Sequence, residues 1–191
     1  MDSSKLAVKF FVKDASAIEA GAFVPVFHSW IQKHAVADHL LIDVADYKHV
    51  QSGPGTVLVA HEANFSTDAG ENRLGLLYVR KTPLPGDFSE RLKVTFRAAL
   101  QAAQLLEREP SLAGKVRFRT DDPIFRIVDR LLAPNTAETF AAVRPGLEAF
   151  LAKLYDGVVK LQHSAGELTQ FEVKVIAPAS PSVADLLQRL E

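Results

Sequence analysis

Residues 40 to 81 decide how this chain is read: LLIDVAD (40–46), YKHVQSGPG (47–55), TVLVAHEAN (56–64), FSTDAGEN (65–72) and RLGLLYVRK (73–81). Runs of β-branched, leucine and aromatic residues alternate here with clusters of Gly, Pro, Ser, Asn and Asp, the pattern of strands separated by turns. The spacing predicts three successive strands at about 40–46, 56–63 and 73–81. A reverse turn through Ser52-Gly-Pro-Gly55 joins the first two, and a hairpin loop over STDAGEN joins the second to the third.

Working outward, KLAVKFFV (5–12) reads as a strand, and Phe23, Val26, Phe27, Trp30 and Ile31 recur at helical spacing behind a Pro25 tolerated only in a first turn. Thr82 to Gly86 (TPLPG) ends the third strand of the element. A long helix follows from Asp87 to Glu109, opened by a capping box of Asp87 and Glu90 and closed by Pro110. Lys115 to Thr120 alternates as a half-buried strand would, and Ile124 to Val128 reads as another.

Asn135 and Glu138 stand in capping-box spacing before the stripe Phe140, Val143, Leu147, Phe150, Leu151 and Leu154, a second long helix that Pro145 is expected to kink or split. Strands at 158–163 and 170–177 pair across the Ser164 to Glu167 turn, and Ser182 with Asp185 opens a terminal helix. The expected order is β-α-β-β-β-α-β-β-α-β-β-α. Strands clustered in this way point to an α+β fold with antiparallel or mixed sheets packed against two long amphipathic helices. Residues 1–191 are expected to form one compact unit, and if two subdomains exist the Pro83 to Gly86 break separates 1–82 from 87–191.

Composition narrows the function classes. Hydrophobic residues make up 48% of the 191 and charged ones 24%, proportions of a folded chain rather than a disordered one. The net charge of -1 gives no overall field to draw nucleic acid or an anionic membrane. The densest basic patch, Lys115, Arg117, Arg119, Arg126 and Arg130, is interleaved with Asp121, Asp122 and Asp129, so neither nucleic acid nor membrane is expected as a partner. With no cysteine, disulfides, thiolate zinc sites and a cysteine nucleophile are all excluded. The first residues lack the apolar core of a signal peptide, which points to a cytoplasmic location.

One constellation carries chemistry-bearing side chains where strands ordinarily carry neutral ones: Asp43, Asp46, His49, His61, Glu62 and Asn64. A hairpin register placing Asp43 opposite His61 would let the carboxylate hold one imidazole nitrogen and leave the other as a base, with Glu62 or Asp46 as a further acid. The bland alternative is that both are strand-end residues with ordinary hydrogen bonds. His61-Glu62 does not extend to H-E-x-x-H, because residue 65 is Phe. The SGPG loop lacks a phosphate-loop lysine and DAGEN (68–72) is too short for an EF-hand, so no metal and no cofactor is implied. His28, His34 and His39 read as helix-surface or loop residues.

Two readings follow. The first is a non-catalytic module that uses the 40–81 element to bind a small molecule or a protein, itself included, with Asp46, His49 and Asn64 as ligand-binding residues. The second is a hydrolase- or lyase-type enzyme built on His61, Asp43 and Glu62. The absence of a recognisable catalytic motif favours the first.

Overall fold

In the computed structural model, which describes residues 5–19, 21–50, 53–166 and 169–191, the described elements follow the order β-α-β-β-β-β-α-β-α-β-β-α. They are β1 (Leu6–Phe11), α1 (Phe23–Lys33), β2 (Leu41–Asp46), β3 (Thr56–Ala60), β4 (Ala63–Asp68), β5 (Gly75–Arg80) and α2 (Phe88–Arg108). Then come β6 (Ile124–Ile127), α3 (Ala137–Tyr155), β7 (Lys160–His163), β8 (Phe171–Ile176) and α4 (Val183–Gln188). The fold is α+β, as expected. Gln51 and Ser52 of the SGPG connection and Glu167 of the expected hairpin turn lie outside the described residues.

All eight strands join one sheet in the order β2-β3-β4-β5-β1-β6-β8-β7, and every neighbouring pair is antiparallel. β1 lies between β5 and β6, so strands from both sides of the Pro83–Gly86 break hydrogen-bond into the same sheet. Its central place explains why all six residues of LAVKFF are buried.

The helices pack on the sheet face that carries Val8, Phe10, Leu58, Phe65, Tyr78 and Phe125. α1 covers β2 and β3, while α2 lies over β1 and β5 with α3 and α4 beside it. Phe96 of α2 has its ring centroid 6.1 Å from that of Phe10 and 5.2 Å from that of Phe150 in α3, and it is fully buried. Truncating such a ring costs about 3–5 kcal/mol.

Four local expectations are corrected. Residues 63–68, read as the end of one strand and part of a loop, form β4. Its alternation is hidden because Ser66 and Thr67 are buried polar residues, with Phe65 the only large apolar side chain. Lys115 to Thr120 is not a strand: it forms a single isolated bridge, Phe118 to Val12 just past β1, although Val116 and Phe118 are buried.

Thr136, not Asn135, caps α3, its hydroxyl accepting from the Thr139 amide. Asn135 is occupied elsewhere, donating to the Ser164 carbonyl and the Thr169 hydroxyl. Finally, α3 runs through Pro145 without dividing, because the buried stripe Val143, Leu147, Leu151 and Leu154 on either side outweighs the lost hydrogen bond.

Candidate functional site

The register of the first hairpin overturns the expected Asp43–His61 pairing. Asp43 stands opposite Val59, and a bulge between Leu41 and Asp43 shifts the two strands. β3 ends at Ala60, so His61 falls in the turn to β4, donating its backbone N–H to the Leu40 carbonyl at 2.8 Å. The Asp43 carboxylate accepts from the amide of its own neighbour Val44 at 2.8 Å. Both side chains are exposed, and no hydrogen bond or ion pair joins them.

Glu62 shares the turn and accepts from the Leu40 amide at 2.8 Å. Partial burial pushes its carboxyl upward, but that hydrogen bond and the charges of His61 and His39 outweigh burial and hold it below the usual range. Asp46, at the end of β2, accepts from the Lys48 amide at 3.0 Å and pairs with the Lys48 ammonium at 3.2 Å. The amide contact is the main reason its carboxyl lies low. His49 is exposed, its ring 6.4 Å from that of Tyr47. Asn64 sits on the helix-free face between Val59 and Val79, with its side-chain oxygen buried and unpartnered.

The six expected site residues therefore do not converge. What the 40–81 element does build is a cleft of about 240 Å³ at the end of the sheet where the 48–55 connection meets the approach to α1. Ile18, Phe23, Val50 and Leu74 give it apolar walls, Thr56 and Thr67 contribute the strand side, and Lys48 and Glu19 bring its charges.

Close backbone contact shapes this end. Gly55 has φ +63°, and a Cβ there would lie 2.2 Å from the Thr67 carbonyl oxygen, so only glycine lets the two strands meet. Thr67 in turn uses its hydroxyl on the Thr56 backbone, accepting from the amide at 2.9 Å and donating to the carbonyl at 3.4 Å.

A second polar cluster lies on the helix-free face. Lys9, in the middle of β1, is fully buried and donates to Asp68 Oδ1, Gly70 O and Glu71 Oε2 at 2.5, 3.0 and 2.9 Å. Glu71 also accepts from Arg126 at 2.7 Å, and Arg126 from its other side meets Glu172 at 2.8 Å. Arg126 and Arg119, members of the basic stretch, are thus committed to carboxylates, Arg119 to Asp121 and Asp122. The sequence pattern alone does not single out Lys9; its one signal is a lysine at the centre of an otherwise apolar strand.

His39 is half-buried beside Phe65 and Tyr78, whereas His34 is exposed at the α1 C-cap with φ +49°. Among the described residues no three His, Asp or Glu side chains are grouped to hold a metal ion, and no helix is long and apolar enough to cross a membrane. No family model, no curated protein and no solved structure matches this chain.

Proposed function

We propose that this chain is a non-catalytic small-ligand-binding module whose ligand site is the cleft beside the 48–55 connection. One observation carries the reading: eight of the twelve described residues lining the cleft (Lys48, Val50, Gly53, Gly55, Thr56, Thr67, Ala69 and Leu74) come from the 40–81 element. Concave, mostly apolar walls with a few polar groups are the common form of small-molecule sites.

The volume of about 240 Å³ suits a compact ligand of roughly one or two rings, below the ~300–1,000 Å³ of drug-sized pockets. Its apolar body would lie against Ile18, Phe23, Val50 and Leu74, and a polar group would meet Lys48 or Glu19. Lys48 is held at the mouth by its ion pair with Asp46, close to Gly21 on the opposite side. The acid–base alternative has no assembled pair to rest on, with Asp43 facing Val59 and His61 in the turn.

The test is a titration of isotope-labelled protein with indole, benzoate, indole-3-acetate and phenethylammonium, following amide chemical shifts. Saturable shifts at Gly53, Gly55 and Ala69 with at least one probe are expected, and Val50→Trp, which fills the space from an exposed position, should abolish them. Shifts scattered over the surface, or none, overturn the reading.

A further inference from the structure

Lys9 occupies an unusual position for a lysine. Its side chain leaves the central strand on the face without helices, where a long charged side chain would normally reach water, yet its ammonium is fully buried. The stem lies across β5, and it can do so because residue 75 is glycine: a Cβ there would meet Lys9 Cε at 2.8 Å. The three ammonium hydrogens have three oxygen acceptors, and all three acceptors come from residues 68–71. This is the way a loop wraps a bound cation, with two carboxylates and a carbonyl converging on one positive centre.

The loop so gathered is strained. Glu71 and Asn72 both take left-handed backbone conformations, with φ +58° and +53°, which cost a non-glycine residue conformational energy. The contacts that hold it are the Lys9 ammonium, a hydrogen bond from the Gly70 amide to the same Asp68 oxygen at 3.1 Å, and Arg126 on the far oxygen of Glu71. Directly beyond, Arg73 stacks over the Phe11 ring at 3.7 Å and pairs with Asp122 at 2.8 Å.

The other side of the same loop faces the cleft. Ala69 and, past the turn, Leu74 line it, and the Ala69 amide donates to the Gly53 carbonyl at 3.3 Å in the connection opposite. We propose that Lys9 is a positioning residue for the cleft, a tethered internal cation that sets the 68–73 loop and through Ala69 and Gly53 fixes the wall against which a ligand binds. The proposal rests on the cleft being the ligand site, but its mechanical half, from Lys9 to Ala69 and Gly53, is measurable without any ligand.

The experiment uses the full chain and follows amide exchange at Ala69 and the amide shift of Gly53. Lys9→Ala removes the ammonium, and 1-propylammonium, which matches the missing atoms, is then added, with tetramethylammonium as a cation lacking N–H donors. Lys9→Ala should speed exchange at Ala69 at least ~10-fold relative to Tyr78 in the sheet, and 1-propylammonium alone should reverse it. Should Lys9→Ala fail to fold because Asp68 is left unpaired, Lys9→Met with Asp68→Asn removes both charges, and the same loosening at Ala69 and Gly53 is expected.

Unchanged exchange and shifts in a folded variant overturn the proposal, as does equal rescue by tetramethylammonium. With a probe bound to the wild type, the folded variant should weaken it at least ~10-fold. Loosening without any loss of affinity also overturns the proposal. If no probe binds the wild type, the ligand reading falls, while the exchange result still decides whether Lys9 sets the loop.

Discussion

Nε2 of His39 lies 3.2 Å from the phenol oxygen of Tyr78, and Nδ1 of the same ring lies 2.8 Å from the Ala37 carbonyl oxygen. A carbonyl only accepts, so Nδ1 carries the proton, and in the neutral ring Nε2 is left to accept from the Tyr78 hydroxyl. The ring is further enclosed by Phe65, 5.1 Å away centre to centre. This enclosure by apolar rings favours the neutral imidazole.

The pH dependence of stability follows from this geometry. Burial, the largest influence, lowers the His39 pKa below its usual 6.5, outweighing the opposing hydrogen bond to Ala37. The unfolded chain therefore binds the proton more readily than the folded one. The contribution is full above pH 6.5 and is lost as the pH falls below that value toward the lower native one. Melting temperatures recorded between pH 8 and pH 5 should fall as the solution is acidified, and His39→Gln should flatten the slope. A residual slope is expected from His163, whose pKa is also lowered by burial. An unchanged slope in His39→Gln would contradict the assignment.

Asp43 and His61 should behave as independent residues. They share no hydrogen bond or register position, so urea unfolding of Asp43→Ala, His61→Ala and the double variant should give a coupling energy within about 0.3–0.5 kcal/mol of zero. Each single change should cost no more than about 0.5 kcal/mol, as surface substitutions usually do. A coupling of about 1 kcal/mol or more would mean that the two side chains do meet, and it would restore the acid–base pair.

Long-period patterns are legible in the sequence and short polar ones are not. The stripe of α2 and its Asp87–Glu90 capping box can be read directly, since both depend on residues a few positions apart in one helix. β4 escapes because ANFSTD buries Ser66 and Thr67, whose polarity imitates a loop, while the hydroxyl of Thr67 is satisfied across the sheet on Thr56. The Asp43–His61 register fails for a related reason, since a bulge at Leu41/Asp43 and an early turn at His61 are set by backbone geometry that no side-chain alternation reports. The cleft and the Lys9 cluster join residues 18 to 74 and 9 to 172, and such distances are invisible until β1 is known to lie between β5 and β6.

Gly55 offers a sharp test of the cleft end. Its φ is positive, and a methyl group at this position would come within 2.2 Å of the Thr67 carbonyl oxygen. Gly55→Ala must therefore either move the strand ends apart or break the hydrogen bond from the Tyr47 amide to the Gly55 carbonyl, now 2.8 Å. The left-handed conformation alone costs about 1–2 kcal/mol, so a loss of at least that size is expected in chemical denaturation. A neutral Gly55→Ala would show that the connection relaxes freely.

Asn135 and Thr136 separate two roles that adjacent residues are easily assumed to share. Thr136 supplies one cap contact, to the Thr139 amide at 3.3 Å, and Thr136→Ala should cost about 1 kcal/mol. Asn135, only 7% exposed, makes three contacts: its amide nitrogen donates to the Ser164 carbonyl at 3.1 Å and the Thr169 hydroxyl at 2.8 Å, and its oxygen meets His163 Nε2 at 2.7 Å. The carbonyl-type oxygen accepts, so Nε2 of His163 carries the proton there, and the ring stays stacked on Phe140 at 4.9 Å. Asn135→Ala leaves these groups without their partner and should cost about 2–3 kcal/mol, clearly more than the cap. Denaturant titration of the two single variants checks the order, and a Thr136→Ala variant less stable than Asn135→Ala would return the capping role to the centre of this junction.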